Sequence, residues 1–312
     1  MIIRAIASAL PADTYDSSVV AQWCGSDEVF LCEKVGIKTR HFLEKHTSEI
    51  ELATLACENL FAKKPDLSRN SIGLCIYVGQ VHTLPIPHSS AILQHKLKMP
   101  RECACFDISL ACSGYIYALS IARGLMESIN IEHAILITCD PYSKIIDKAD
   151  RNTSPLFGDA ATATLLSLHG IGLEIGKVDL GTDGSKSEYL TLRNNFKLYM
   201  DGKGIFNFVM NEIPKSISRC LNINKKKQSD IKYFLFHQAN LFMIQSLCSI
   251  MNINKENCPI YINDVANTIS SSLPLLLENN FENLINGDNI IMSAFGGGLS
   301  WGTIYAKFSG GM

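Results

Sequence analysis

The chain predicts an α/β protein built from two halves of similar plan. Short apolar runs of strand length recur at residues 72–78, 134–138 and 161–166 with helix-length stretches between them, and the theme resumes at Tyr233-Phe234-Leu235-Phe236. The 312 residues are 47% hydrophobic and 19% charged, which supplies apolar surface for a sizeable core. That length fits about two domains or one large one.

Taken in order, residues 1–10 are apolar with one Arg and stop at Pro11-Ala12-Asp13, too short a run for a secretory signal and suited to a first strand. No stretch reaches the roughly 18 apolar residues that span a bilayer, so a soluble protein with no membrane partner is expected. Residues 72–78 form the next strand. Phe106-Asp107-Ile108-Ser109-Leu110-Ala111 then leads through Cys112 into 113–129, which reads as a strand-to-helix turn. The segment 112–129 is apolar almost all round, with Tyr115, Ile116, Leu119, Ile121, Ala122 and Leu125, and is expected at the centre of a layered protein. Strands at 134–138 and 161–166 complete the first half. The boundary is expected near 168–170, giving residues 1–168 and 169–312; the halves show no visible identity, and no Pro/Gly/Ser-rich linker separates them. In the second half, 233–236 is a buried strand running into His237 and a helix over 241–251. Lys225-Lys226-Lys227 reads as a solvated loop.

The net charge of −2 gives no bulk attraction for nucleic acid or acidic membranes. Eleven cysteines are scattered singly with no CxxC pair. That pattern suits a reducing, cytoplasmic compartment, and it lacks the paired spacing of a zinc site.

Three polar residues stand in apolar or tightly turned contexts: Cys112, His237 and Asn267. A thiol at a helix N-terminus is favoured as thiolate by the unpaired N–H groups and the macrodipole. Cys, His and Asn together form a known set for thiol catalysis, although a lone buried His is more often a hydrogen-bonded core residue. Ala294-Phe295-Gly296-Gly297-Gly298-Leu299-Ser300-Trp301-Gly302 is either a tight turn between two strands or a loop whose backbone N–H groups face an oxyanion.

Leu110-Ala111-Cys112-Ser113-Gly114, Phe157-Gly158-Asp159-Ala160, His237-Gln238-Ala239-Asn240, Asn267-Thr268 and the glycine-rich segment occur in one order, with Val35-Gly36-Ile37-Lys38-Thr39-Arg40 near the start. In this the chain resembles, end to end, ketoacyl synthase III, the initiating β-ketoacyl-acyl-carrier-protein synthase of the thiolase superfamily. The resemblance implies a five-layered αβαβα thiolase fold of two pseudo-duplicated halves, a homodimer and no permanently bound cofactor. It implies decarboxylative condensation of an acyl-CoA primer with malonyl-acyl-carrier protein or malonyl-CoA, in fatty acid or related secondary-metabolite biosynthesis. Cys112 would carry the acyl group, His237 and Asn267 would stabilise the malonyl enolate, and the N–H groups of Cys112 and Gly297 would form the oxyanion hole. The CoA arm maps onto Phe30, Lys34, Arg151 and Asn240, and the acyl pocket onto Ile86, Phe157, Leu190 and Phe295. Asp159 is expected to be structural, as are His82 and His88, in a stretch that shapes the primer pocket across the dimer interface in this family. The chain departs where the family docks its carrier protein: Phe242 replaces an Arg and Asn207 a Lys, with Lys203 and Lys215 nearby. The rival readings are a non-decarboxylating acyltransferase on the same fold and a subunit of a heteromeric condensing enzyme. A papain-like hydrolase is disfavoured because its Cys lies near the mature N-terminus in a disulfide setting.

Overall fold

Nine strands and six helices carry the architecture in the computed structural model, which describes residues 1–193 and 196–310. The strands are β1 (Ile2–Ala9), β2 (Ile72–Val78), β3 (Ala104–Ile108), β4 (His133–Cys139), β5 (Ala161–Ser167), β6 (Gly172–Thr182), β7 (Tyr233–Phe236), β8 (Asn289–Gly296) and β9 (Ser300–Ser309). The helices are α1 (Glu49–Lys63), α2 (Ser89–Lys96), α3 (Gly114–Ile129), α4 (Gly202–Ile223), α5 (Leu241–Ile250) and α6 (Ser272–Asn280).

The strands pair in the order β7-β8-β9-β6-β1-β5-β4-β2-β3. On one side β3, β2 and β4 are parallel, and β5 and β1 follow antiparallel. On the other, β7 and β8 are parallel, and β9 and β6 follow antiparallel. The two sides meet where β1 pairs with β6. β6, β7, β8 and β9 therefore repeat the roles of β1, β2, β4 and β5, while β3 has no counterpart among the described residues. Parallel strands need crossover helices and are buried on both faces, which is why β2 and β4 read as nearly unbroken apolar runs.

Burial assigns the helices to layers. α1 opens with a capping box, in which Ser48 Oγ accepts from Glu51 N–H (3.3 Å) and Glu51 Oε2 from Ser48 N–H (2.7 Å). Its Ala53, Ala56 and Leu60 cover the outer face of the first half, against Cys75, Ile135 and Leu165. α4 does the same for the second half, packing Val209, Ile213 and Ile217 onto Phe234 and Ile291. Between them lies a layer shared by both halves, in which Ile116, Leu119 and Met126 of α3 and Leu273, Leu276 and Leu277 of α6 join Leu74, Leu136, Leu235 and Met292 in one core. Each such side chain fully removed from water contributes about 2 kcal/mol.

The central place expected for 112–129 holds along one face of α3, on which Ala122 and Met126 are as fully buried as Ile116 and Leu119. Ile121 and Ile129 are 42% and 57% exposed, so the helix is not covered all round. No helix among the described residues is long and apolar enough to cross a membrane.

Candidate active site

Cys112 lies in the turn between β3 and the first residue of α3, buried at 6% exposure. Burial first, and then the negative charge of Asp140, push its thiol above the ordinary value, with its own backbone N–H pulling the other way. The expected thiolate is thus reversed to a resting thiol, because lost hydration of the anion outweighs the pull of one helix start.

His237 follows the last residue of β7 and is held by its N–H donating to the Ser293 carbonyl (2.8 Å). Its ring meets Phe295 edge-on, with centroids 5.5 Å apart. Ser272 Oγ accepts from Gln238 N–H (3.4 Å) and lies 2.5 Å from His237 Nδ1. If the Ser272 hydroxyl donates to Nδ1 the neutral ring carries its proton on Nε2, and if Nδ1–H donates to Ser272 Oγ the proton is on Nδ1. Burial pulls the imidazole down to about 3, which keeps it uncharged at neutral pH.

Asn267 is fixed by backbone and side chain together. Its N–H donates to the Leu156 carbonyl (2.9 Å) and its carbonyl accepts from Gly158 N–H (3.0 Å), so the Phe157-Gly158 motif serves as its mount. Its Oδ1 accepts from Ile269 N–H (3.0 Å), which leaves Nδ2 as the donor. Ala266 (φ 62°, ψ −164°) and Ile269 (φ 52°) flank it in left-handed conformations that side chains rarely adopt, so local strain is concentrated around this amide.

The structure brings Cys112, His237 and Asn267 to the wall of one cleft of about 70 Å³. Phe157, Leu190, Phe295 and Asn240 line the same cleft. The hairpin turn between β8 and β9 closes it, and Gly296 is the contact residue: a Cβ there would sit 2.9 Å from Cys112 Cβ and 3.0 Å from its Sγ. Gly297, the expected oxyanion donor, follows directly.

At the rim, the π-helical turn Leu31–Val35 ends at Gly36, where φ is 82° and a Cβ would fall 2.3 Å from Leu241 Cβ. This docks the segment of Phe30 (51% exposed) and Lys34 against the start of α5. Asn240 caps that helix through its Oδ1 on Met243 N–H (2.8 Å). Arg151 is exposed on a loop that the buried Arg40 anchors, its Nη1 donating to the Pro155 carbonyl (2.7 Å). Phe242 is 57% exposed and stacks on Phe206 with centroids 5.4 Å apart, while Lys203, Asn207 and Lys215 lie exposed along α4. Ile86 does not line the cleft of its own chain; it is 83% exposed.

Asp159 accepts from Leu43 N–H (2.8 Å), Ser143 N–H (3.1 Å) and Ser143 O–H, pinning loops behind the cleft. His82 bonds Ser89 Oγ (3.0 Å) and the Gly79 carbonyl (3.1 Å). His88 is exposed. Sequence reasoning missed Asp140 and the role of Ser272. Asp140 follows β4, wholly buried, with Oδ1 accepting from Gln80 N–H (2.6 Å) and Oδ2 from Ser270 O–H (2.6 Å). Burial pushes its carboxyl up to about 6.

A buried thiol, an imidazole, a carboxamide and a glycine turn meeting between two pseudo-duplicated halves match a condensing enzyme of the thiolase fold. The family model 3-Oxoacyl-[acyl-carrier-protein (ACP)] synthase III matches residues 106–184, and the one for its C-terminal part matches 221–308. The chain is 32% identical to a beta-ketoacyl-[acyl-carrier-protein] synthase III of Streptococcus agalactiae, over 89% of this chain and 90% of that one. It is 30% identical to the enzyme of that name from Campylobacter concisus, over 98% and 96%. A 2.1 Å crystal structure of a 3-oxoacyl-(acyl-carrier-protein) synthase III superposes with a TM-score of 0.94 at 31% identity, covering 98% of this chain and 99% of that chain. The chain belongs to the 3-oxoacyl-acyl-carrier-protein synthase III family.

Proposed function

We propose that this enzyme condenses an acyl-CoA primer with a malonyl thioester through an acyl-cysteine at Cys112, releasing CO2 and a 3-oxoacyl thioester. The observation that carries the reading is one cleft wall shared by a buried thiol, an uncharged imidazole in contact with Ser272 through Nδ1, and an amide whose Oδ1 is already engaged.

In the first stage Cys112 Sγ bonds to the primer carbonyl carbon, the N–H groups of Cys112 and Gly297 hold the oxyanion, and the CoA sulfur leaves with the thiol proton. In the second, the malonyl thioester carbonyl faces His237 Nε2–H and Asn267 Nδ2–H. Loss of CO2 places charge on that oxygen, where fixed neutral donors stabilise it and a carboxylate would repel it. The enolate carbon attacks the acyl-cysteine, the C–S bond breaks, and the released thiolate takes up a proton, as its raised affinity favours. The chemistry needs no resident cofactor.

We assign Phe157, Leu190 and Phe295 to the acyl pocket and Phe30, Lys34, Arg151 and Asn240 to the CoA arm. The exposed Ile86 suits a second copy of the chain, a homodimer in which it reaches the partner's pocket. Malonyl-acyl-carrier protein is the extender this reading takes first, with the exposed Lys203 and Lys215 of α4 in place of the cation that Phe242 does not supply, and malonyl-CoA is the alternative. Eleven free cysteines suit the cytoplasm. The two halves divide as 1–168 and 169–312.

Incubation with acyl-CoAs should give an acyl adduct by intact mass that Cys112→Ala lacks, and a malonyl thioester should then release CO2. A wild type left unmodified across many primers sinks the reading. Acyl transfer to an alcohol or amine without CO2 release would favour the non-decarboxylating alternative.

A further inference from the structure

Ser113, next to the nucleophile, occupies the N-cap position of α3, where a serine hydroxyl ordinarily satisfies a helix N–H. It makes no such bond. Its Oγ lies instead 2.7 Å from Ser300 Oγ, in the other half of the molecule, with the two residues 1% and 2% exposed. Ser300 Oγ in turn donates to the Gly297 carbonyl (2.7 Å). A carbonyl only accepts, so the single proton of Ser300 is committed and Ser113 must be the donor of the pair. The result is a directed relay: Ser113 O–H to Ser300 Oγ, and Ser300 O–H to the oxygen of Gly297.

The relay acts where the chain has least stiffness of its own. Gly296, Gly297 and Gly298 are consecutive, Gly298 is exposed at φ 129°, and glycine has the widest conformational freedom. The Ser300 backbone is already held by its pairing with Gly296 and Thr182. The hydroxyl contacts carry that rigidity to the Gly297 carbonyl, one residue's torsions away from the Gly297 N–H, and to the residue after Cys112 on the other side.

We propose that Ser113 and Ser300 are positioning residues that fix the Gly297 carbonyl, limit rotation of Gly297 about its Cα, and so hold its N–H in register with that of Cys112. The inference rests on the acyl-cysteine reading above. Removing one oxyanion donor outright costs on the order of a hundredfold or more in rate, so loosening one should slow acyl transfer by about tenfold to a hundredfold.

The test compares Ser113→Ala, Ser300→Ala and Ser300→Thr with wild type in the rate of Cys112 acylation at saturating acyl-CoA, followed by quenched intact mass. CO2 release from malonyl-CoA is measured alongside, with each change also placed in a Cys112→Ala background. Both alanine variants should acylate about tenfold to a hundredfold more slowly at unchanged apparent affinity for acyl-CoA. Decarboxylation, which depends on His237 and Asn267, should stay within about twofold, and the threonine hydroxyl should restore most of the acylation rate. Should Ser300→Ala not fold, Ser113→Ala decides alone, since its hydroxyl caps nothing. Acylation at the wild-type rate, or equal loss of acylation and decarboxylation, overturns the proposal. A wild type that never acylates instead overturns the acyl-cysteine reading itself.

Discussion

Replacing Asp140 with Asn should stabilise the protein at alkaline pH far more than at acid pH, and should make Cys112 more reactive. The carboxyl is wholly buried and pushed up to about 6 by that burial, despite bonds from Gln80 N–H and Ser270 O–H. An unfolded chain titrates the same group near 3.9. With the folded value raised, the native state holds the proton more tightly; its stability is fullest below the unfolded value and is lost as pH rises through the folded one. From pH 4.5 to pH 8 the loss is about 1.5 units at 1.36 kcal/mol each, or about 2 kcal/mol. Asn keeps the shape and both contacts, accepting from Gln80 through Oδ1 and donating to Ser270 through Nδ2, without the charge. Asp159, also near 6, is common to both proteins and cancels in the difference.

Urea unfolding of both proteins at the two pH values measures this directly. The stability difference should be larger at pH 8 by about 2 kcal/mol, and a difference of equal size at both values refutes the argument. A second readout follows from the charge of Asp140 being the second cause, after burial, of the raised Cys112 thiol. Alkylation of Cys112 by iodoacetamide at pH 8 should be faster in the Asn variant, and an unchanged rate would show that the two groups do not interact.

Four further perturbations test the remaining parts. Gly296→Ala forces a Cβ to 2.9 Å from that of Cys112 and should slow its acylation by at least about tenfold while secondary structure by circular dichroism is kept. Ser272→Ala removes the only partner of His237 Nδ1 among the described residues, and single-turnover condensation from pre-acylated enzyme should fall by about tenfold or more while acylation persists. Ala266→Gly relieves a conformation that costs on the order of 1–3 kcal/mol, against about 0.5–1 kcal/mol for added chain freedom, so urea unfolding should show a gain of about 1 kcal/mol. Phe242→Arg puts a cation at the cleft mouth and should lower KM for carrier-bound malonate several-fold relative to malonyl-CoA at unchanged kcat; an unchanged KM ratio refutes a docking role for this position.

Cys112, His237 and Asn267 were legible because each is a polar residue set against an apolar run or a tight turn, a contrast that survives in one dimension. The strands 72–78 and 233–236 match β2 and β7 for the same reason: fully buried strands need no alternation to be seen. The strand β6 was missed because it alternates exposure along half its length and carries several glycines, so its apolar content is diluted. The helix α1 carried a readable start in Ser48 and Glu51 that went unused. Asp140 and Ser272 were not legible at all. An acid after a strand reads as a loop carboxylate, and nothing local announces that its partner is Ser270, 130 residues away. The exposure of Ile121 and Ile129 is likewise set by which face of α3 the layers cover, which a helix apolar almost all round does not display in its sequence.

The repeat of strand roles explains why the site sits where it does. α3, with Cys112 before its start, leads into β4, and α6, with Asn267 before its start, leads into β8, so Cys112 and Asn267 are topological equivalents at the mouth of the shared helical layer. The ends of β2 and β7 deliver Gln80 and His237; the ends of β4 and β8 deliver Asp140 and the glycine turn. One set supplies Cys112 and a buried acid outside the cleft lining, the other His237 and Asn267. The contacts that join the sets cross between the halves: Asp140 to Ser270, Thr138 to Ser271 (2.8 Å), Gly158 to Asn267 and Ser113 to Ser300. All are buried and hydrogen-bonded, so separating the halves would leave each partner unsatisfied, at about 1–3 kcal/mol apiece. The catalytic geometry is therefore a property of the interface between halves, and a pair of halves free to hinge would hold Cys112 and Asn267 without holding them in register.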